Sequence, residues 1–204
     1  IGGDLLYIGA SGGPLWASDG TLAGTIRIAD PTGLEPVNAQ IPEPYFVKSL
    51  PTNSAGETFF AADTSSGEHG NELWKTDGTV AGTALVKDIW PGEANGNPLR
   101  SSPQLLTMVD DIVYFTGLDG IHGRELWRSD GTEAGTYMVK DVVPGDNSSS
   151  SFLLNLTAVG DDLFFRNAGG PEGHELWISD GTEAGTQLVK DIWPGSGHGR
   201  PTEL

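Results

Sequence analysis

Four Asp-Gly-Thr triplets are the most regular chemistry in this chain of 204 residues, beginning at Asp19, Asp77, Asp130 and Asp180. A carboxylate in that setting has two uses. It can accept backbone N–H groups a few residues ahead and clasp a turn, or it can offer oxygen to a cation or a sugar hydroxyl. All four units carry it, and needs shared by every unit are those of construction, so the clasp is the expected role. Gly20, Gly78, Gly131 and Gly181 follow, where a turn can take positive φ without steric cost.

Groups that do not recur in every unit are better candidates for ligand binding. Trp90 and Trp193 stand in "IWPG", where the third unit has Val143 and the first Thr32. An exposed indole on an acidic loop stacks on sugar rings, and Asp88 and Asp191 lie two residues upstream as hydrogen-bonding partners. His69, His122, His174 and His198 fall in glycine-rich turns with no ligand spacing. A glycosidase needs two carboxylates about 5–10 Å apart in unlike environments. The regular acids here repeat instead, and no nucleophile, P-loop or dinucleotide signature accompanies them. The residues therefore point away from an enzyme.

These side chains must be positioned by a repeat. Trp16, Trp74, Trp127 and Trp177 are 58, 53 and 50 residues apart, the length of a propeller blade. In the third unit the apolar runs are "PQLLTMV" (103–109), "DIVYFTG" (111–117), "ELWRS" (125–129) and "TYMVKDV" (136–142). Each is short, rich in β-branched and aromatic residues, and bounded by turn residues, so each reads as a strand. The expected fold is all-β: a four-bladed β-propeller in one domain, four antiparallel strands to a blade. The blades are 1–33 with 199–204, then 34–92, 93–145 and 146–198. The closing "GRPTEL" matches the start of a first strand and the opening "IGGDLLYIG" a second strand. Pairing of the two ends would close the ring. Leu and Trp of each "LW" face opposite sides of a strand, and both sides of a blade meet neighbours. Lys87–Asp88, Lys140–Asp141 and Lys190–Asp191 would put charge on the outer strand, against edge-to-edge pairing.

The phrase ELW-x-[ST]-DGT-x-x-GT-x-x-V-K-D resembles the ELWxxDGT repeat family of bacterial proteins. The match is close at Glu72–Thr79, Glu125–Thr132 and Glu175–Thr182, while the first unit has Pro14 for Glu and "IRIAD" for "LVKD". The resemblance implies an exported or cell-surface β-propeller module and no activity.

Composition narrows the partners. With 28 acidic and 11 basic residues the net charge is −17, which repels nucleic acid and anionic lipid. No apolar run reaches the length of a membrane span, and no cysteine is present for a disulfide or a thiolate metal site. The expected function is a non-catalytic extracellular binding module, capturing a glycan or surface polymer through equivalent loops. Its alternative is a structural subunit held to other protein subunits in a larger surface assembly. Oxygen-lined loops or a central channel would suit Ca²⁺.

Overall fold

A computed structural model of the chain describes residues 6–8, 16–28, 36–40, 50–64, 66–145, 153–169 and 173–194. It is all-β there, with no helix among the described residues. Each copy of the phrase builds one antiparallel sheet. Sheet one holds β1 (Leu6–Ile8), β2 (Trp16–Ser18) and β3 (Ile26–Arg27). Sheet two holds β4 (Pro36–Gln40), β5 (Thr58–Thr64), β6 (Glu72–Thr76) and β7 (Ala84–Lys87). A two-stranded ribbon follows, β8 (Glu93–Ala94) with β9 (Asn97–Pro98). Sheet three holds β10 (Gln104–Val109), β11 (Ile112–Leu118), β12 (Arg124–Ser129) and β13 (Tyr137–Lys140). Sheet four holds β14 (Leu153–Val159), β15 (Asp162–Asn167), β16 (Glu175–Ser179) and β17 (Gln187–Lys190). The chain falls into two units, Ile1–Ser102 and Pro103–Leu204. The closing segment 199–204, on which ring closure was expected to depend, lies outside the described residues.

Within each four-stranded sheet the strands pair in chain order. In sheets three and four local turns suffice for that order, since each strand meets the next through a short connection. The first strands β4, β10 and β14 each break register once, between Val37 and Gln40, Gln104 and Thr107, and Leu154 and Thr157. Leu105 and Asn155 take left-handed φ of 57° and 55° inside the last two breaks. Such a bulge bends a strand and strengthens its twist.

Sheets two and three are buried on both faces at their third strands, and this sets their composition. Leu73 and Trp74, on opposite sides of β6, are both buried, and so are Leu126 and Trp127 on β12. In the fourth sheet Leu176 and Trp177 are half-buried. In sheets two to four the strand before "LW" supplies an aromatic residue opposite the tryptophan. Phe115 stacks on Trp127 with centroids 6.5 Å apart, and Phe165 on Trp177 at 6.2 Å. The indole N–H groups of Trp74 and Trp127 are buried with no hydrogen-bond acceptor, contrary to the ordinary need of a buried tryptophan.

Packing between sheets recurs in the two units. In the first, Ile28, just past β3, shares a buried cluster with Phe60, Ala62 and Trp74 of sheet two. In the second, Val139 of β13 and Val142 share one with Leu153, Leu163 and Phe165 of sheet four. The outer strand of one sheet thus seats its aliphatic side chain on the aromatic face of the next. We predict that Val139→Ala costs roughly 2 kcal/mol in urea unfolding. The exposed equivalent, Val189→Ala, should cost less than about 0.5 kcal/mol.

Candidate functional site

The Asp-Gly-Thr loops connect the last two strands of each sheet, and their hydrogen bonds are the same in all four copies. Oδ1 of Asp130 accepts the Thr132 backbone N–H at 2.9 Å and the Thr132 hydroxyl at 2.7 Å. Asp19, Asp77 and Asp180 hold Thr21, Thr79 and Thr182 in the same way. The hydroxyl of Thr132 then accepts the Gly135 N–H at 2.9 Å. Thr136, opening the outer strand, donates its hydroxyl to the Thr132 carbonyl at 2.7 Å. Its Oγ1 also lies 2.7 Å from the Ser129 hydroxyl, whose oxygen accepts the Gly131 N–H at 3.0 Å. Every letter of the phrase [ST]-DGT-x-x-GT therefore has a bond to make.

Its two glycines serve different ends. Gly131 takes φ +85°, which a side chain would resist. Gly135 needs no unusual φ; a Cβ there would lie 2.0 Å from the Asp130 carboxylate oxygen, which fills that space. The threonine hydroxyl, followed by the backbone N–H, holds the carboxyls of Asp19, Asp130 and Asp180 below their ordinary value of 3.8. Asp77 is held below it by the Thr79 hydroxyl against a small cost of burial. These four acids act as clasps.

A second device was not anticipated from the sequence. The glutamates of "ELW" are buried, and each accepts the backbone N–H of a residue 17 positions ahead, in the turn after the outer strand. Glu72 takes Ile89 at 3.1 Å, Glu125 takes Val142 at 2.7 Å and Glu175 takes Ile192 at 3.1 Å. Glu72 also accepts the Ser101 N–H at 2.8 Å and its hydroxyl at 2.5 Å. Each glutamate latches the end of the outer strand to the third strand of its own sheet. Burial pushes the Glu72 carboxyl up to about 7 and the Glu125 carboxyl up to about 8. The hydrogen bonds, more numerous at Glu72, oppose that rise without cancelling it.

The four residues proposed for ligand contact divide into two unlike pairs. Asp88 is bonded to His69 Nδ1 at 2.8 Å, and Trp90 beside it is half-buried. Asp191 is half-buried with Oδ1 lacking a hydrogen-bond partner, while Trp193 is exposed. Both aspartates lie one residue past the outer strand, on the latched turn. His122 pairs with Asp119 at 2.6 Å, and that bond holds its imidazole above the ordinary value. Among the described residues no group of three or more His, Asp or Glu side chains is placed to hold a metal ion.

The loop of the fourth clasp rests on sheet three. Arg128 Nη1 donates to the Gly181 carbonyl at 3.3 Å, and the Lys140 ammonium donates to the Thr186 carbonyl at 2.7 Å and the Glu183 carbonyl at 3.3 Å. A Cβ on Gly181 would sit 2.3 Å from the Tyr114 hydroxyl, so the backbone there lies against that ring. Lys140, expected only to guard an edge, joins two sheets. Compared with known proteins, the chain matches no family model and no curated sequence.

Two predictions follow from clasp and latch. Asp130→Ala and Gly135→Ala should each cost about 1–2 kcal/mol of unfolding free energy, the first by losing bonds and the second by crowding the carboxylate. The pH dependence has two opposed limbs. Clasp aspartates, depressed below 3.8, contribute stability above that pH and lose it as pH falls through their folded values. Glu72 and Glu125, raised from 4.5, contribute fully below 4.5 and lose the contribution as pH rises through about 7 and 8. Melting temperature should therefore be higher near about pH 5 than near about pH 8.5, and Glu125→Gln should narrow that gap.

Proposed function

We propose that this chain is a non-catalytic surface scaffold whose sheets pack face to face as propeller blades and bind other protein through their faces. One observation carries the reading. Val189, Ile192 and Trp193 of sheet four are exposed, whereas Val139 and Val142 at the equivalent places in sheet three are buried against a following sheet. The regular carboxylates support it too, since clasps and latches already employ them. Exposed apolar side chains at places that sheet three buries against its neighbour mark an interaction surface.

A glycan is the second reading, and the exposed Trp193 beside Asp191 favours it. Such a site would be single, because Trp90 is half-buried and Asp88 is bonded to His69. A glycan array probed with the wild-type chain and Trp193→Ala, with and without EDTA, separates the two. The scaffold reading expects no glycan retained above background under either condition. Sugar binding that Trp193→Ala abolishes, at unchanged melting temperature, would replace it with the glycan reading.

A further inference from the structure

The chain that follows sheet two forms a loop with a closed neck. Glu72 Oε2 accepts the Ile89 N–H at 3.1 Å and Glu72 Oε1 the Ser101 N–H at 2.8 Å, so one carboxylate ties both ends. Inside the neck the Leu99 N–H donates to the Gly92 carbonyl at 2.9 Å. The Leu99 backbone passes close to Gly70, where a Cβ would lie 2.1 Å from the Leu99 carbonyl oxygen. Ser102 donates its N–H to the Asn71 carbonyl at 2.9 Å. Beyond the neck stands the ribbon of β8 and β9, with 2 residues to each strand. Neck and ribbon both lie within the unit Ile1–Ser102.

The ribbon turns on Asn95–Gly96, the one Asn-Gly step of the sequence. Both residues take left-handed φ, 55° and 74°, as a two-residue hairpin turn between Ala94 and Asn97 requires. Both are exposed. The Asn95 carbonyl accepts Asn97 Nδ2 at 3.2 Å, while the Asn95 carboxamide has no hydrogen-bond partner among the described residues. The Gly96 backbone nitrogen is the next nucleophile along the chain, and no side chain screens it. Five Asp-Gly steps give the contrast. Asp19, Asp77, Asp130 and Asp180 commit their carboxylates to the clasp threonines. Asp119 accepts the Ile121 and His122 N–H groups and pairs with His122 Nδ1. An ionised carboxylate also resists nucleophilic attack, and a carboxamide carries no such charge. Asn97 has no equivalent route, because Pro98 lacks an N–H.

We propose that Asn95 is a site of spontaneous covalent modification, converting to isoaspartate and aspartate in the folded chain with water as the co-reactant. The Gly96 amide nitrogen gives up its proton to solvent base and attacks Asn95 Cγ. An N–Cγ bond forms, the Cγ–Nδ2 bond breaks, and the amide nitrogen leaves as ammonia with a proton from solvent. Water then opens the five-membered succinimide, and nothing is oxidised or reduced. Opening at the Asn95 main-chain carbonyl routes the backbone through Cβ and gives isoaspartate; opening at Cγ gives aspartate. Attack requires the tip to leave its left-handed turn, and a ladder this short opens readily. Either product adds a negative charge near Glu93. The isoaspartyl form also lengthens the main chain by one carbon, which the pairing of Ala94 with Asn97 cannot absorb. The Glu72 neck confines the change to the loop. The inference goes beyond the scaffold reading and does not depend on it.

The test is peptide mapping by mass spectrometry of the folded full chain, kept for weeks in mildly alkaline buffer made with heavy-oxygen water. The peptide holding Asn95 should lose its amide and gain one heavy oxygen, with isoaspartate in excess of aspartate. Asn95→Gln should abolish the change in that peptide, with the circular dichroism spectrum retained. The converted chain should melt at the temperature of the starting chain. Asn95 that stays intact in the folded chain and converts only after unfolding in urea would overturn the inference. So would isoaspartate formed equally at the Asp-Gly steps, or aspartate formed at Asn95 with no isoaspartate beside it. A lowered melting temperature after conversion would overturn the confinement by the neck.

Discussion

A sheet with apolar side chains on both faces cannot stand alone in water, and this constraint governs the whole molecule. Alternate residues of β6 and β12 project to opposite sides, and both sides are buried. Each such sheet requires a neighbour before it and another after it. The seating of an outer-strand aliphatic on the next sheet's aromatic pair supplies them, and the hydrophobic effect rewards each seat with a few kcal/mol at most. Stability therefore accumulates by repetition.

Polar chemistry in this fold is subordinate to that packing. The clasp forces the third strand into the fourth with one carboxylate, three hydroxyls and two glycines, leaving few backbone groups of the loop unmatched. The latch fixes the end of the fourth strand, and in sheet three it sets Val142 against the following sheet. A buried glutamate is a costly way to do so, as the elevated carboxyl values of Glu72 and Glu125 record. It holds a turn in place where a solvent-exposed side chain would compete with water. Lys140 and Arg128 then bond to carbonyls of the fourth clasp, coupling loop geometry to sheet packing.

Much of this was legible in the letters. An Asp before Gly and Thr has few local options, so the clasp could be read from Asp130 and Thr132 alone. The strands followed from apolar runs between turn residues, and the period from the tryptophans. The latch was hidden because its partners are backbone groups 17 residues onward, and at Glu72 a serine 29 residues onward; a main-chain N–H has no letter. The fixed interval from Glu to the Ile or Val after "KD" was the available signal, together with Pro14 replacing Glu in the first unit, where no such carboxylate exists. The environments of Trp90 and Trp193 could not be read at all. The octapeptide around them is the same, yet one is half-buried and the other open.

Hydroxyl-radical footprinting of the six tryptophans across a urea series measures most directly whether the sheet faces are held by their neighbours. Trp74 and Trp127 should be protected in the folded chain and become reactive only as it unfolds, while Trp193 should be reactive throughout. Reactivity of Trp74 and Trp127 in the folded chain equal to that of Trp193 would contradict the account.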